Sequence, residues 1–562
     1  MAAVASALRA LTRWTALVVF APLLALQLVL FLAVAVVAST LLGMVLIELL
    51  GGSAFQAAWW HDPFLVVLAL LACLFAAHTW SAKTGVPLPW HHGSLGMDSH
   101  GSARFATRKE RADLQDGRKG AGGVSSGLLI GRDPQTGRLL RYDGPAHLLT
   151  LAPTRSGKGV GTVIPNLLLV PRPVLVIDPK GENARTTYEA RRRFGPVHVL
   201  DPFGATGLPS ASYNPLGRLS PDSPDLGEDA ASLAEALVVD APGQSGEAHW
   251  NEEAKALLVG LVMFAVCHEG EERRTLATVR EYLTLPPERF RQLLALMQAS
   301  EAAGGLVARA ANRHLGKSDR EAAGVLSSAQ RHTHFLDSPR IVAATARSDF
   351  SFASLRHEVA TVFLVLPPNR LDAYSRWLRL LVSQALAEIA RDAETGSSAA
   401  VGGAPALREP TLFLLDEFAA LGRLEAVERA MGLMAGYGLQ LWPILQDMSQ
   451  LRALYGARAN TFVANAGVLQ AFNVGDHETA KWLSSLMGQA TVGYETSSHR
   501  PGDPPSTSFH VTARDLLTPD EVMQLPAHLQ LLRVQGRPVI VAHKLRHHAD
   551  PEFAGLFAPQ GQ

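Results

Sequence analysis

The sequence predicts an α/β fold: a mostly parallel sheet covered on both faces, interrupted by an all-helical stretch and preceded by two membrane segments. Three observations carry this expectation. From His147 onward, short and near-continuous apolar runs alternate with helical patterns, as parallel strands buried on both faces require. Between about Pro221 and Phe350 those runs stop and only helical spacing is found. At the start of the chain, two long stretches carry no charge at all.

The first uncharged stretch, Trp14 to Ile47, exceeds the roughly 20 apolar residues of a spanning helix. It is too long for the core of a cleaved signal peptide, and a second stretch, Phe64 to Trp80, follows at once. That second stretch opens at "HDPF", where Asp62 can cap and Pro63 suits a first helical turn. Trp59 and Trp60 suit the membrane interface. Arg9 and Arg13 precede the first stretch, and Lys83, Arg104, Arg108, Lys109 and Arg111 follow the second. Basic flanks stay in the cytoplasm, so residues 1–82 are expected to form a transmembrane hairpin with nearly all of the chain cytoplasmic. Residues 83–128, with Gly, Ser and scattered charge, read as a juxtamembrane linker.

The expected strands are "HLLTLA" (147–152), "RPVLVIDP" (172–179), "PVHVLDP" (196–202), "VATVFLVLP" (359–367), "PTLFLLDE" (410–417), "GLQLWPILQ" (438–446) and "AGVLQAF" (466–472). Residues 129–220 are the first part of the α/β domain, 221–350 the all-α domain, and 351–562 the second part with a C-terminal tail. The helical part is carried by segments such as "WNEEAKALLVGLVMFAV" and "PERFRQLLALMQ". Two stretches, 394–410 and 497–508, have the composition of surface loops.

Lys+Arg and Asp+Glu both number 51, so no global basic field points to nucleic acid. Local charge would have to serve: "RRRF" (191–194) and "RSDF" (347–350) could meet phosphate, although a solvated helix end explains "RRRF" equally well. Cys73 and Cys267 form no disulfide framework and suit a reducing compartment. The histidine pairs in "WHHGS" (90–94) and "RHHAD" (546–550) lack further ligands at metal-binding spacing and read as solvated. No Ser-His-Asp or reactive-cysteine arrangement is found.

One motif carries chemistry. "HLLTLAPTRSGKGVGTVIPNLLL" (147–169) runs from buried strand through tight turn into helix, the setting of a phosphate loop of pattern G-x-x-x-x-G-K-[ST]. Thr154, Arg155, Ser156, Gly157, Lys158, Gly159 and Val160 are expected to cradle ATP, backbone N–H groups toward its phosphates. Lys158 would reach the β- and γ-phosphates. Two positions depart from the pattern. Ala152 stands where the first Gly is usual, with Pro153 fixing the next φ. Gly159 replaces the Ser or Thr whose hydroxyl holds Mg2+. Thr162, one turn further on, is the expected substitute through a water, and Pro165 is expected to perturb the helix start. In "TLFLLDE" an apolar strand ends in two carboxylates. Asp416 is assigned to Mg2+ and Glu417 to orienting or deprotonating the attacking water. Gln446, ending the next apolar strand, is assigned to sensing the γ-phosphate; a plain turn residue is the simpler alternative.

"HGSARFAT", "APTRSGKGVGTVIPNLL", "VLVIDPKGE", "VHVLDPFG", "SYNPL", "FLLDEFAALGRL", "AGYGLQLWPILQDMSQL", "NVGDHETAKWLSSLMG" and "EVMQLPAHLQLLRVQGRPVIVAHK" follow one another in order. Together they resemble the type IV secretion coupling proteins, in the TraG conjugal-transfer branch, where Gly after the lysine is the usual form. The resemblance implies a bacterial inner-membrane ATPase with a RecA-like P-loop motor and an all-helical domain, assembled as a homo-hexamer. It implies recruitment of relaxase-bound, single-stranded DNA to a type IV secretion channel, with catalytic roles for Lys158, Glu417 and Gln446 and a metal role for Asp416. Docking of protein effectors onto such a channel is the alternative; a chromosome-segregation membrane motor fits the motif order and the short hairpin less well. Some relatives carry a trans-acting basic residue where this chain has "AMGLMAGYG" (430–438). Arg376, Arg423 and Arg429 are the candidates to replace it.

Overall fold

The structure, a computed structural model, describes residues 98–116, 125–239, 247–394, 407, 409–498 and 506–558. The expected membrane hairpin and the histidine pair at 91–92 lie outside the described residues. Among the described residues no helix is long and apolar enough to cross a membrane.

In chain order the strands are β1 (Leu128–Arg132), β2 (Leu139–Tyr142), β3 (His147–Leu151), β4 (Val174–Ile177), β5 (Val197–Leu200), β6 (Thr361–Leu364), β7 (Thr411–Leu415), β8 (Leu439–Leu445) and β9 (Ala466–Ala471). They continue as β10 (Gln489–Ser498), β11 (Ser506–Asp515), β12 (Leu529–Val534) and β13 (Ile540–His543). Eleven of them form one sheet in the order β2-β1-β13-β12-β9-β3-β8-β7-β4-β6-β5. From β9 to β5 every pairing is parallel, and these are the seven strands expected from the apolar runs. An antiparallel extension, β12, β13, β1 and β2, completes the sheet. Its strands escape the sequence pattern because polar and partly exposed residues interrupt them; β13 buries only alternate residues.

Side chains of a strand alternate between faces, and here each face has its own core. Leu175 and Ile177 of β4 and Phe413 and Leu415 of β7 share one hydrophobic cluster with Leu233, Leu258, Leu261 and Val279. Val174, Val176, Leu412 and Leu414 point the other way, against Leu167, Leu168, Ala184 and Ala190. Between β5 and β6 all the described elements are helical. The longest of these helices, Ala248–His268, buries a continuous run from Gly260 to Val266, which marks a helix enclosed on all sides. The helical stretch thus shares one core with one face of the sheet.

Part of the expected linker is folded. Ala103 N–H donates to Gln489 O (2.9 Å) and Ala106 N–H to Val539 O (2.8 Å). The helix Arg108–Asp116 follows, and buried Arg111 pairs with Asp133 at 2.6 Å. Nor is 497–508 wholly a loop. β10 and β11 run into it from both sides and pair through Ser498↔Ser506 as a two-stranded ribbon. Most of 394–410 lies outside the described residues.

In "RRRF" only the first arginine is withdrawn from solvent; Arg192 and Arg193 are exposed. Arg191 is 1% exposed and donates to Thr361 Oγ1 (2.7 Å) and the carbonyls of Val170 (2.8 Å) and Arg172 (2.6 Å). It closes the turn between the helix Ile164–Leu169 and β4, so no phosphate can reach it. Arg191→Ala should destabilise the chain by roughly 3 kcal/mol or more, through orphaned carbonyls and a cavity, read from the urea midpoint.

A second prediction concerns acid. Arg313 first, then Lys317, hold the carboxyl of Glu253 down to about 2, from an ordinary value of 4.5, against the opposing effect of burial. The ionised form is favoured in the folded chain, so the stability it contributes is present above about pH 4.5 and lost as pH falls toward 2. Glu253→Gln should flatten that part of the acid-unfolding curve.

Candidate functional site

β3 and β7 are separated in the sheet by β8 alone. The loops at their C-terminal ends therefore lie within side-chain reach, the place where open α/β sheets hold ligands. Ala152, after β3, is fully buried and donates its N–H to Leu445 O at 2.8 Å, prolonging the β3–β8 ladder by one bond. The turn follows. Ser156 folds its hydroxyl back to Pro153 O (2.6 Å). The left-handed positions are Arg155 (φ 62) and Gly157 (φ 89). Glycine's freedom is thus needed at 157 and not at 152, so Ala152 costs the loop nothing. A Cβ at Gly157 would meet nothing within 4 Å, so the turn borders open space there.

Lys158 then opens a π-helical turn, Gly159–Val163, closed by Ile164 N–H donating to Gly159 O. Pro165 explains the wider turn, because it has no N–H to give and its ring crowds the preceding turn. The chain re-enters an α-helix at Ile164–Leu169. First-turn amides lack intrahelical acceptors, so the amides beginning at Lys158 are free in principle to serve an anion at this helix start.

Opposite stands the end of β7. Glu417 takes a left-handed conformation (φ 51, ψ 42), a cost of order 1–3 kcal/mol for a non-glycine residue. Its Oε1 lies 2.5 Å from Lys158 Nζ, and Asp416 Oδ1 lies 3.3 Å from the same atom. Gln446, just past β8, donates from Nε2 to Glu417 Oε2 at 3.4 Å. The four side chains meet at one point. Burial pulls the Lys158 ammonium down, but Asp416 and Glu417 outweigh it and leave it raised. Burial pushes the Asp416 carboxyl up, against the pull of Lys158. Thr154 and Arg155 are exposed on the turn, Ser156 is buried, and Gly159 and Val160 are half-buried.

Thr162 is not where it was expected. It is 1% exposed and donates to Gln470 Oε1 at 3.3 Å. Thr150 donates to the same oxygen at 2.8 Å. That hydroxyl belongs to a buried polar cluster under the loop. The arginine candidates, expected to act on a neighbouring copy's nucleotide, need not lie at this chain's own site. Arg423 and Arg429 line a cavity of about 310 Å3 together with Arg379 and Glu235, and neither Lys158 nor Asp416 lines it. Arg376 is half-buried, and burial lowers its guanidinium.

Sequence reasoning missed the other wall of the loop. Lys544, after β13, donates to Ser156 O (2.8 Å) and Asn473 Oδ1 (2.7 Å). His547, read as solvated, is 3% exposed with its Nδ1 3.2 Å from Val160 O; that bond needs the proton on Nδ1. It missed Asp178 too, which follows β4 beside the β7 end. Asp178 accepts Ala184 N–H (2.8 Å) and Asn183 Nδ2 (3.3 Å), and burial pushes its carboxyl up to about 7. A signal existed for both: polar residues closing short apolar runs, in "VIDPKGEN" and "VIVAHKLRHH".

Residues 104–560 match the family described as "Type IV secretory system Conjugative DNA transfer". The conjugal transfer protein TraG of Escherichia coli is 30% identical over 502 residues, covering 81% of this chain and 77% of the relative. Protein VirD4 of Agrobacterium fabrum is 28% identical over 481 residues, with 84% and 68% covered. Among solved structures, the plasmid coupling protein TrwB in complex with ADP and Mg2+ superposes with a TM-score of 0.58 at 18% identity, covering 81% of this chain and 98% of that one. At that identity the likeness is one of fold.

The loop geometry makes one prediction of its own. Ala152→Gly, which restores the usual motif, should lower stability by roughly 0.5–1 kcal/mol and leave nucleotide affinity unchanged. Thermal unfolding and fluorescent-nucleotide titration check both parts.

Proposed function

The chain belongs to the type IV secretory system conjugative DNA transfer family, and from that premise we propose that it is an ATP-hydrolysing coupling protein. It recruits relaxase-bound, single-stranded DNA to a type IV secretion channel and drives or couples its transfer. The observation that supports this most is the meeting of Lys158, from the end of β3, with Asp416 and Glu417, from the end of β7, across the strand that carries Gln446.

The donor set fits a hard cation with nucleotide. Asp416 and Glu417 offer carboxylate oxygens beside an open turn, and magnesium at such sites takes one or two carboxylates and completes its shell with phosphate and water. Among the described residues no group of three or more His, Cys, Asp or Glu forms a protein-only cage. Bound magnesium would neutralise charge developing on the transferred phosphoryl group. Asp416 would hold it. Lys158 exchanges its carboxylate partners for phosphate oxygens, which frees Glu417 to take the proton of the attacking water. Gln446, hydrogen-bonded to Glu417, reports the nucleotide state along β8. Thr154, Arg155, Ser156, Gly157, Gly159 and Val160 shape the cradle.

The same proposal covers organisation. Residues 129–220 and 351–562 form a RecA-like motor, and 221–350 an all-α domain within it. The hairpin of residues 1–82 anchors the chain in the bacterial inner membrane, and six copies assemble with nucleotide at their interfaces. The resemblance supports the hexamer, and the charge-free runs support the hairpin.

With the intact chain, Lys158→Ala should abolish hydrolysis and weaken nucleotide binding at least tenfold. Glu417→Gln should keep nucleotide binding and lower kcat by about 10²–10⁴, the range of a lost general base. Single-stranded DNA should stimulate the native chain and neither variant. ATPase activity indifferent to DNA would instead favour a receptor for protein effectors.

A further inference from the structure

A phosphate loop of the usual pattern holds magnesium partly through the Ser or Thr hydroxyl that follows its lysine. Gly159 has none, and Thr162 spends its hydroxyl on Gln470 in the core. Another oxygen stands beside the gap. A Cβ built at Gly159 meets one heavy atom within 4 Å, the Oδ1 of Asn183, at 3.9 Å. Gly159 is not among the positive-φ residues, so its lack of a side chain answers no backbone demand.

Asn183 is held for such a role. It is 4% exposed and sits in the first turn of the helix Glu182–Arg192, whose N-cap, Gly181, is left-handed. Its Nδ2 donates to Asp178 Oδ1, while Asp178 Oδ2 takes Ala184 N–H. With Nδ2 turned to Asp178, the amide oxygen is the atom that faces Gly159, and among the described residues nothing donates to it. Asp178 and Asp416 are neighbours at the sheet end, because the preceding residues Ile177 and Leu415 pair in register. Asn183 thus faces Gly159 on one side and, through Asp178, joins the strand end next to Asp416 on the other. A neutral amide oxygen is a hard donor suited to magnesium, and a carboxylate bonded to a ligand from behind fixes its orientation.

We infer that the side-chain oxygen of Asn183, oriented by Asp178, fills the magnesium-ligand position left by the missing P-loop hydroxyl. The inference rests on the nucleotide-site reading above and goes beyond it in naming the replacement ligand.

The test is a magnesium titration of the intact chain. The readout is the magnesium concentration giving half of the maximal gain in affinity for a fluorescent ATP analogue. Asn183→Ala should raise it roughly 10- to 100-fold while leaving magnesium-free nucleotide affinity unchanged. Adding Gly159→Ser to Asn183→Ala should recover most of the loss, because the serine returns the usual hydroxyl. Asn183→Asp, nearly identical in size, carries the test where the alanine variant does not fold: a charged oxygen there should lower the half-effect concentration by about threefold or more. An unchanged magnesium requirement in Asn183→Ala, or in Asn183→Asp, overturns the assignment. Absence of nucleotide binding by the native chain, with Lys158→Ala no different, overturns the underlying reading instead.

Discussion

The site depends on one spacing. Neighbouring strands lie about 4.8 Å apart, so β3 and β7, with β8 between them, end about 10 Å from each other. A lysine leaving the loop after β3 can close that gap to a carboxylate leaving β7, and Lys158 does so at 2.5 Å. One strand fewer would crowd the two loops together; one more would leave the ammonium and the carboxylates as separate solvated charges. Burial pulls the Lys158 ammonium down, and the two carboxylates beside it more than offset that pull. The parallel order of the central strands, the fully buried run of β8 and the left-handed Glu417 all serve to keep that spacing and aim.

The antiparallel extension supports the loop from below and from one side. Trp442 donates to Thr150 (2.8 Å), Thr150 to Gln470 (2.8 Å), Gln470 to Gln530 (2.5 Å), and Gln530 to the carbonyl of Ile130 (2.9 Å). This buried polar row crosses β8, β3, β9 and β12 as far as β1. Each member is satisfied, as burial demands, and the row fixes the strands' relative register beneath Thr162, in the π-helical turn of the loop. Lys544 and His547 then reach over from β13 to the backbone of the loop itself.

How far the sequence was readable follows from burial. Six of the seven parallel strands are fully buried, β5 at the sheet edge only in part, and all show as near-continuous apolar runs. The extension and the ribbon are partly exposed, so their patterns fall below what a single sequence displays. At the site, Lys158, Asp416, Glu417 and Gln446 stand out because each ends a legible strand or follows one. The errors have a common origin. Thr162 and Arg191 were judged by residue type, as a free hydroxyl and a solvated cation, and each is bound to a distant segment of chain. Asn183 is the converse: an unremarkable residue in sequence that folding brings beside Gly159 from 24 positions away, a separation read directly from the numbering.

The folded stretch around Gly101 has a mechanical meaning. Thr491 N–H donates to Gly101 O (3.0 Å), Ala103 N–H to Gln489 O (2.9 Å) and Ala106 N–H to Val539 O (2.8 Å). Hydrogen bonds in such a bridge lie across the strand, so tension along the chain at Ser99 loads them together, in shear, instead of peeling them one by one. Force entering there is taken up by the base of the ribbon and the rim of the sheet. That rim leads directly into β13, and Lys544 and His547, just past β13, hold the backbone of the phosphate loop, so tension at that end is carried toward the outer wall of the site.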